Sequence, residues 1–185
     1  MSNVKGSSLA SRFLWVSLSR GEAGMKQLAA AATPELRAVI ERGASLSKWY
    51  PFAQFIELSE LMDGQFGSGD GALHRVLGRH SAEAHLTTIY RLFYKVGTVH
   101  WILGRAARLW GAYYDSGNLE LYTRRARTVE MRLMGFATPH KIHCATIAGW
   151  VERSVELSGG HSVQVHETAC RVDGAPHCEF RCSWE

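Results

Sequence analysis

Proline is scarce, at 4 of 185 residues, and cysteine is absent before position 144. No apolar run approaches the ~20 residues of a membrane span; the longest are interrupted by Lys95, His100 and Arg105. The start of the chain carries Phe13, Leu14, Trp15 and Val16 but lacks the apolar block of a secretory signal. A disordered chain is excluded, because 46% of residues are hydrophobic and the net charge is only +4. The 18 Gly show no collagen-like period. Catalytic signatures are missing as well. There is no Gly-x-Ser-x-Gly and no His-Glu-x-x-His, and the glycine-rich stretch Gly67 to Gly71 lacks the Lys-Ser/Thr of a phosphate loop. The 21 basic residues are spread along the chain. Their one dense cluster, Arg124, Arg125 and Arg127, has no nucleic-acid-binding signature beside it and reads as a solvated face. The expectation is a cytoplasmic protein with no membrane span, no direct nucleic-acid contact and no enzymatic activity.

What is present has the length of one domain. Residues 1–10 are small and polar, so they are expected to be flexible, with 11–185 forming a single domain. Thr33-Pro34-Glu35 opens a helix: a capping hydroxyl, Pro in the first turn, then an acid at the positive end of the dipole. Trp49-Tyr50-Pro51 reads as a rigid turn. Phe52, Phe55, Ile56 and Ser59 recur at helical spacing, and so do the apolar positions from Leu73 to about Gly104, with Gly78 and Gly97 expected to break that segment. From Leu109 to Tyr114 large and small uncharged residues alternate, which predicts a strand before the turn Asp115-Ser116-Gly117-Asn118. Val129, Met131 and Leu133 alternate as a second strand. Cys144, Ile147, Trp150, Val151, Ser154 and Val155 form a helical stripe that ends at Gly159-Gly160. Two further strands flank the turn Val172-Asp173-Gly174-Ala175-Pro176 and close the chain as a hairpin. Helices first and antiparallel strands later predict an α+β fold.

All 4 cysteines fall in the last quarter: Cys144, Cys170, Cys178 and Cys182. Cys170 and Cys178 flank the final hairpin turn, which sets them near one another across the strands. Glu167 lies three residues before Cys170, and Cys144 starts the preceding helix. Three sulfurs and a carboxylate could close a tetrahedral structural zinc site with no open position. Cys182 and His166 are spare ligands that could replace Glu167, a Cys170–Cys178 disulfide is a further option, and plain buried thiols need no metal.

The run Pro139-His140-Lys141-Ile142-His143-Cys144, then Ala148-Gly149-Trp150, Glu167-Thr168-Ala169-Cys170 and Gly174-Ala175-Pro176-His177-Cys178 resembles the 4-vinyl reductase domain, a sensor of small aromatic molecules. Lys5-Gly6-Ser7, Trp49-Tyr50-Pro51, Tyr114-Asp115-Ser116-Gly117 and Trp184 make the whole chain look more similar still to a set of uncharacterised myxobacterial paralogues of that domain. The wider fold also includes haem-based nitric-oxide sensors and subunits of a vesicle-tethering complex. The resemblance implies helices packed on a twisted four-stranded antiparallel sheet, with a long helix between the two strand pairs. It implies zinc held by Cys144, Glu167, Cys170 and Cys178. It also implies an apolar cavity for a small apolar or aromatic ligand, with candidates Phe93, Val96, His100, Trp101, Trp110 and Tyr113. The expected role is a sensory domain, homodimeric through its N-terminal helices, that signals through a partner protein. A scaffold module of the tethering-subunit kind is the alternative. The haem sensors' Tyr-x-Ser-x-Arg clamp is not matched, since Tyr122-Thr123-Arg124-Arg125-Ala126 has Arg and Ala in the wrong places. No haem is therefore expected, although His85 and His100 lie in helical segments.

Overall fold

The computed structural model describes residues 2–89 and 98–185. The chain opens with a short strand, β1 (Asn3–Lys5), followed by α1 (Gly6–Ala31), α2 (Pro34–Arg42) and β2 (Trp49–Pro51). Next come the helices α3 (Phe52–Phe66), α4 (Ala72–Ile89), α5 (Val99–Arg108) and the single turn α6 (Trp110–Tyr113). The hairpin β3 (Asn118–Arg125) and β4 (Thr128–Met134) leads to α7 (Lys141–Leu157) and then to β5 (Gln164–Ala169) and β6 (Cys178–Ser183). The last four strands form an antiparallel sheet in the order β3-β4-β6-β5. The α+β architecture with a long helix between two strand pairs is the one the sequence implied.

Local chemistry explains several boundaries. Thr33 caps α2 by accepting the Leu36 amide at 3.4 Å, as the sequence predicts. α1 is kinked at Gly21, whose φ of 64 leaves the helical region. Buried Val129, Met131 and Leu133 alternate along β4, and Phe180 and Cys182 continue the same apolar layer on β6. α7 packs on β5 and β6.

The structure departs from the sequence reading in four places. The N-terminal segment is not loose: β1 pairs with β2, and Val4 is fully buried beside a bridge to Tyr114. Asp115 accepts from the Asn3 amide at 2.7 Å and from its side-chain Nδ2 at 2.6 Å, while Ser2 and Thr138 hydroxyls meet at 2.7 Å. Trp49-Tyr50-Pro51 is consequently a strand and not a turn. Leu109 to Tyr114 is not a strand: Trp110–Tyr113 forms one helical turn, only Tyr114 is extended, and Trp110 and Tyr114 stack on one another and on His143. Gly78 does not break α4; Gly97 lies outside the described residues. Instead, Gly78 and Gly149 are the notch through which α4 and α7 touch. A Cβ on Gly78 would stand 2.1 Å from the Thr146 carbonyl, and one on Gly149 would stand 2.0 Å from that of Arg75. The same helix pair is rimmed by ion pairs. Arg75 reaches Glu152 at 2.9 Å, and Arg79 holds both oxygens of Glu156 at 2.8 Å.

Candidate functional site

The cysteine cluster draws on three elements. α7 supplies Cys144 in its first turn, the end of β5 supplies Glu167 and Cys170, and β6 begins at Cys178. One ligand atom from each of the four lies within 4.8 Å of the others. Cys144 Sγ is 3.9 Å from Cys170 Sγ, which is 4.0 Å from Cys178 Sγ. Sulfurs about 2.3 Å from a tetrahedral ion would stand ~3.8 Å apart, so the spacing is that of a ligand set. The sulfurs are not bonded to one another, since all four cysteines are free thiols. Cys178 is held down to about 6, chiefly by the Cys144 thiol and also by the Arg171 amide at 3.4 Å. Cys144 is pushed up by hydrogen bonding with Cys178 and by burial. Lys141 places its amine 3.5 Å from Glu167 and also bonds Asp173. Cys182 is apart from this group: it is buried in the sheet opposite Val129 and Val165, and burial pushes its thiol up to about 12. His166 is exposed on β5 and is not in the group either.

A second feature is a cavity of about 110 Å³ bounded by α1, α3, α4, α5, α6, β3 and α7. Its aromatic walls are Phe55, Trp101, Trp110, Tyr113, Tyr114 and Trp150. Its polar groups are few: Ser8, Arg12, Ser81, Thr146 and Arg105. Of the sequence candidates, Trp101, Trp110 and Tyr113 line it. Phe93 and Val96 lie outside the described residues. His100 does not line it. On α5 the positions Trp101, Ile102 and Arg105 face the cavity, and one residue earlier the helix turns His100 toward Trp184, at 5.2 Å between rings.

Arg12 escaped the sequence reading. Its guanidinium is 1% exposed. Nε donates to Ser59 Oγ at 3.2 Å, Nη2 donates to Thr146 Oγ1 at 3.1 Å, and the group lies 4.5 Å over the Phe55 ring. Burial lowers its pKa to about 10, so it remains a cation at neutral pH. A signal was present. Leu9, Arg12, Phe13 and Val16 share the i, i+3, i+4, i+7 stripe of α1, and an arginine inside an apolar stripe is an anomaly. Nearby His143 is caged by Phe52, Trp110, Tyr114 and Phe136, and burial drives its pKa down to about 3, so it is neutral.

No family model matches the sequence, and no curated protein matches it. Solved structures do. An H-NOX protein from S. oneidensis in the Fe(II)NO ligation state superposes with a TM-score of 0.77 at 12% identity, covering 98% of this chain and 99% of that one. The Fe(II)CO form of an H-NOX domain from the same organism gives 0.76 at 12%, covering 98% of each chain. The unliganded Fe(II) protein from K. algicida gives 0.72 at 9%, covering 98% and 96%. At such identities the likeness establishes the fold. It corrects the resemblance drawn from sequence to the 4-vinyl reductase domain and its myxobacterial paralogues. That resemblance rested on a helix–hairpin pattern near the C-terminus and on short motifs scattered along the chain, whereas the superposition matches the backbone over 98% of the chain and leads to H-NOX domains. The cofactor expectation is corrected with it: the matched proteins are described as haem or Fe(II) proteins, which runs against expecting no haem, and their descriptions lend no support to structural zinc. Tested against this chain, a porphyrin does not fit the described residues as they stand. At about 110 Å³ the cavity falls below the ~300–1,000 Å³ of sites for cofactor- and drug-sized ligands, too little for a macrocycle. His100 Nε2, buried without a hydrogen-bond partner, is turned away from it.

Proposed function

We propose that the chain is a small-molecule-binding sensory module that reports to a partner protein. The observation that carries this reading is the cavity itself: aromatic walls, few polar groups, and a position where the N-terminal helix, the central helices and the sheet meet. Occupancy would favour one arrangement of these elements only by binding it better than the alternative. Among the described residues, no nucleophile with a base and an orienting acid lines the cavity, which favours binding over chemistry. An apolar cavity of ~150 Å³ accommodates benzene, so a cavity of about 110 Å³ takes a ligand on the scale of a short chain or a single ring. The test is protein-observed NMR and thermal shift with toluene, phenol and short aliphatic alcohols. Saturable binding that perturbs the indole signals of Trp101 and Trp110 is expected. No saturable binding by any of them refutes the reading.

Cys144, Glu167, Cys170 and Cys178 are proposed as a metal-ligand set that fastens α7 to the terminal hairpin, the donor chemistry selecting a thiophilic ion. Metal analysis of the purified protein is expected to give about one ion per chain, lost in Cys170→Ser; folded, metal-free protein refutes it. Self-association would use Leu14 and Leu18, exposed one turn apart on α1. Leu18→Glu is then expected to convert dimer to monomer in sedimentation, and a monomeric wild type removes the idea.

A further inference from the structure

We propose that the cavity receives the carboxylate of a small, otherwise apolar acid, with the guanidinium of Arg12 as its counter-ion. The inference rests on the ligand-binding reading above and names the chemical class that site takes.

A buried cation normally has an anionic partner. Arg12 has none: its hydrogen bonds go to two neutral hydroxyls, and no Asp or Glu lines the cavity. The residues outside the described set cannot supply one, because 90–97 read Tyr-Arg-Leu-Phe-Tyr-Lys-Val-Gly, without an acid. Asp63, the buried acid of α3, is engaged elsewhere, accepting from the Gly71 amide at 3.0 Å and facing His74 at 3.9 Å.

The hydroxyls that Arg12 touches do not need it. Ser59 already donates to the Phe55 carbonyl at 2.7 Å, and Thr146 to that of Ile142 at 2.9 Å. A guanidinium has five N–H donors, and these two bonds use two of them. The remainder can hold a carboxylate, the anion whose planar geometry the fork matches. Ser8 and Ser81 also line the cavity, and hydroxyls there can donate to the second carboxylate oxygen. Trp101, Trp110 and Tyr113 would cover the apolar body. At about 110 Å³ the space limits that body to a short chain or a single ring.

The experiment compares acids with their uncharged amides on the full chain by calorimetric titration: butyrate against butyramide, and benzoate against benzamide. At least one acid is expected to bind about tenfold or more tightly than its amide, the scale of a charge-assisted hydrogen bond. Arg12→Met is expected to erase that preference by weakening the acids far more than the amides, while Arg12→Lys keeps part of it. Amides binding as well as acids in both pairs, or a preference that survives Arg12→Met, overturns the proposal and leaves the ligand-binding reading standing. Failure of the acids, the amides and the neutral aromatics alike defeats both. If Arg12→Met does not fold, the wild-type comparison of acid with amide still decides.

Discussion

Replacing Gly149 with alanine sets a methyl group against a backbone carbonyl. The added Cβ would lie 2.0 Å from the Arg75 oxygen, where real contacts stay beyond 3.0 Å. The obstacle cannot rotate aside, so α4 and α7 must separate by an ångström or more, loosening the packing of Leu77, Ile147 and Val151. Overpacking of this kind costs about 3 kcal/mol. Alanine's better helix propensity returns about 1 kcal/mol, for a net loss of about 2 kcal/mol. In a chain of this size that lowers Tm by roughly 4–8 °C. Gly64, exposed on α3 with nothing within 4 Å of its would-be Cβ, is the internal control. Gly64→Ala gains the propensity alone and is expected to stabilise by about 0.5–1 kcal/mol. Urea unfolding of both variants measures the contrast in sign. Gly149→Ala at or above wild-type stability would refute the notch.

Three further outcomes are expected. Hydrogen bonds from Arg79, then Arg153, hold the Glu156 carboxyl below its ordinary range. Being lower when folded than unfolded, it contributes stability above the unfolded carboxylate pKa and loses it as pH falls through the folded one. Glu156→Gln should therefore cost about 1 kcal/mol at neutral pH and flatten the acid limb of a stability–pH curve; an unchanged limb counts against it. Asp115→Ala removes both acceptors of Asn3 and should free β1 by about 1 kcal/mol, read as faster amide exchange at Asn3 to Lys5; unaltered exchange contradicts the clasp. Arg12→Met should stay within about 1 kcal/mol of the wild type or exceed it, since it removes an unpaired buried charge; a loss beyond ~3 kcal/mol makes Arg12 a structural residue.

The parts legible in the sequence were those specified locally. Thr33-Pro34-Glu35 fixes the start of α2 whatever surrounds it, and the period-2 pattern of Val129, Met131 and Leu133 needs only one buried face. Convergence of Cys144, Glu167, Cys170 and Cys178 was legible because a hairpin turn and one helix start determine it. The illegible parts depend on distant partners. β1 is three residues long and buries only Val4, too little for a period. The alternation from Leu109 to Tyr114 carries no helix signal of its own, and its conformation is decided by stacking on His143 and Phe136. Gly78 reads as a breaker until the opposing Thr146 carbonyl is known. The cavity is assembled from seven elements, which no local window spans.

The seating of β1 also bears on how the protein is made. Ser2 and Asn3 are synthesised well before their partners Asp115 and Thr138, which lie more than a hundred residues later in the chain. Until that later stretch is made, Val4 waits without the Tyr114 segment it bridges. Closure of the wall that carries Tyr114 therefore follows synthesis of the first hairpin strand and is a late event in the birth of the molecule.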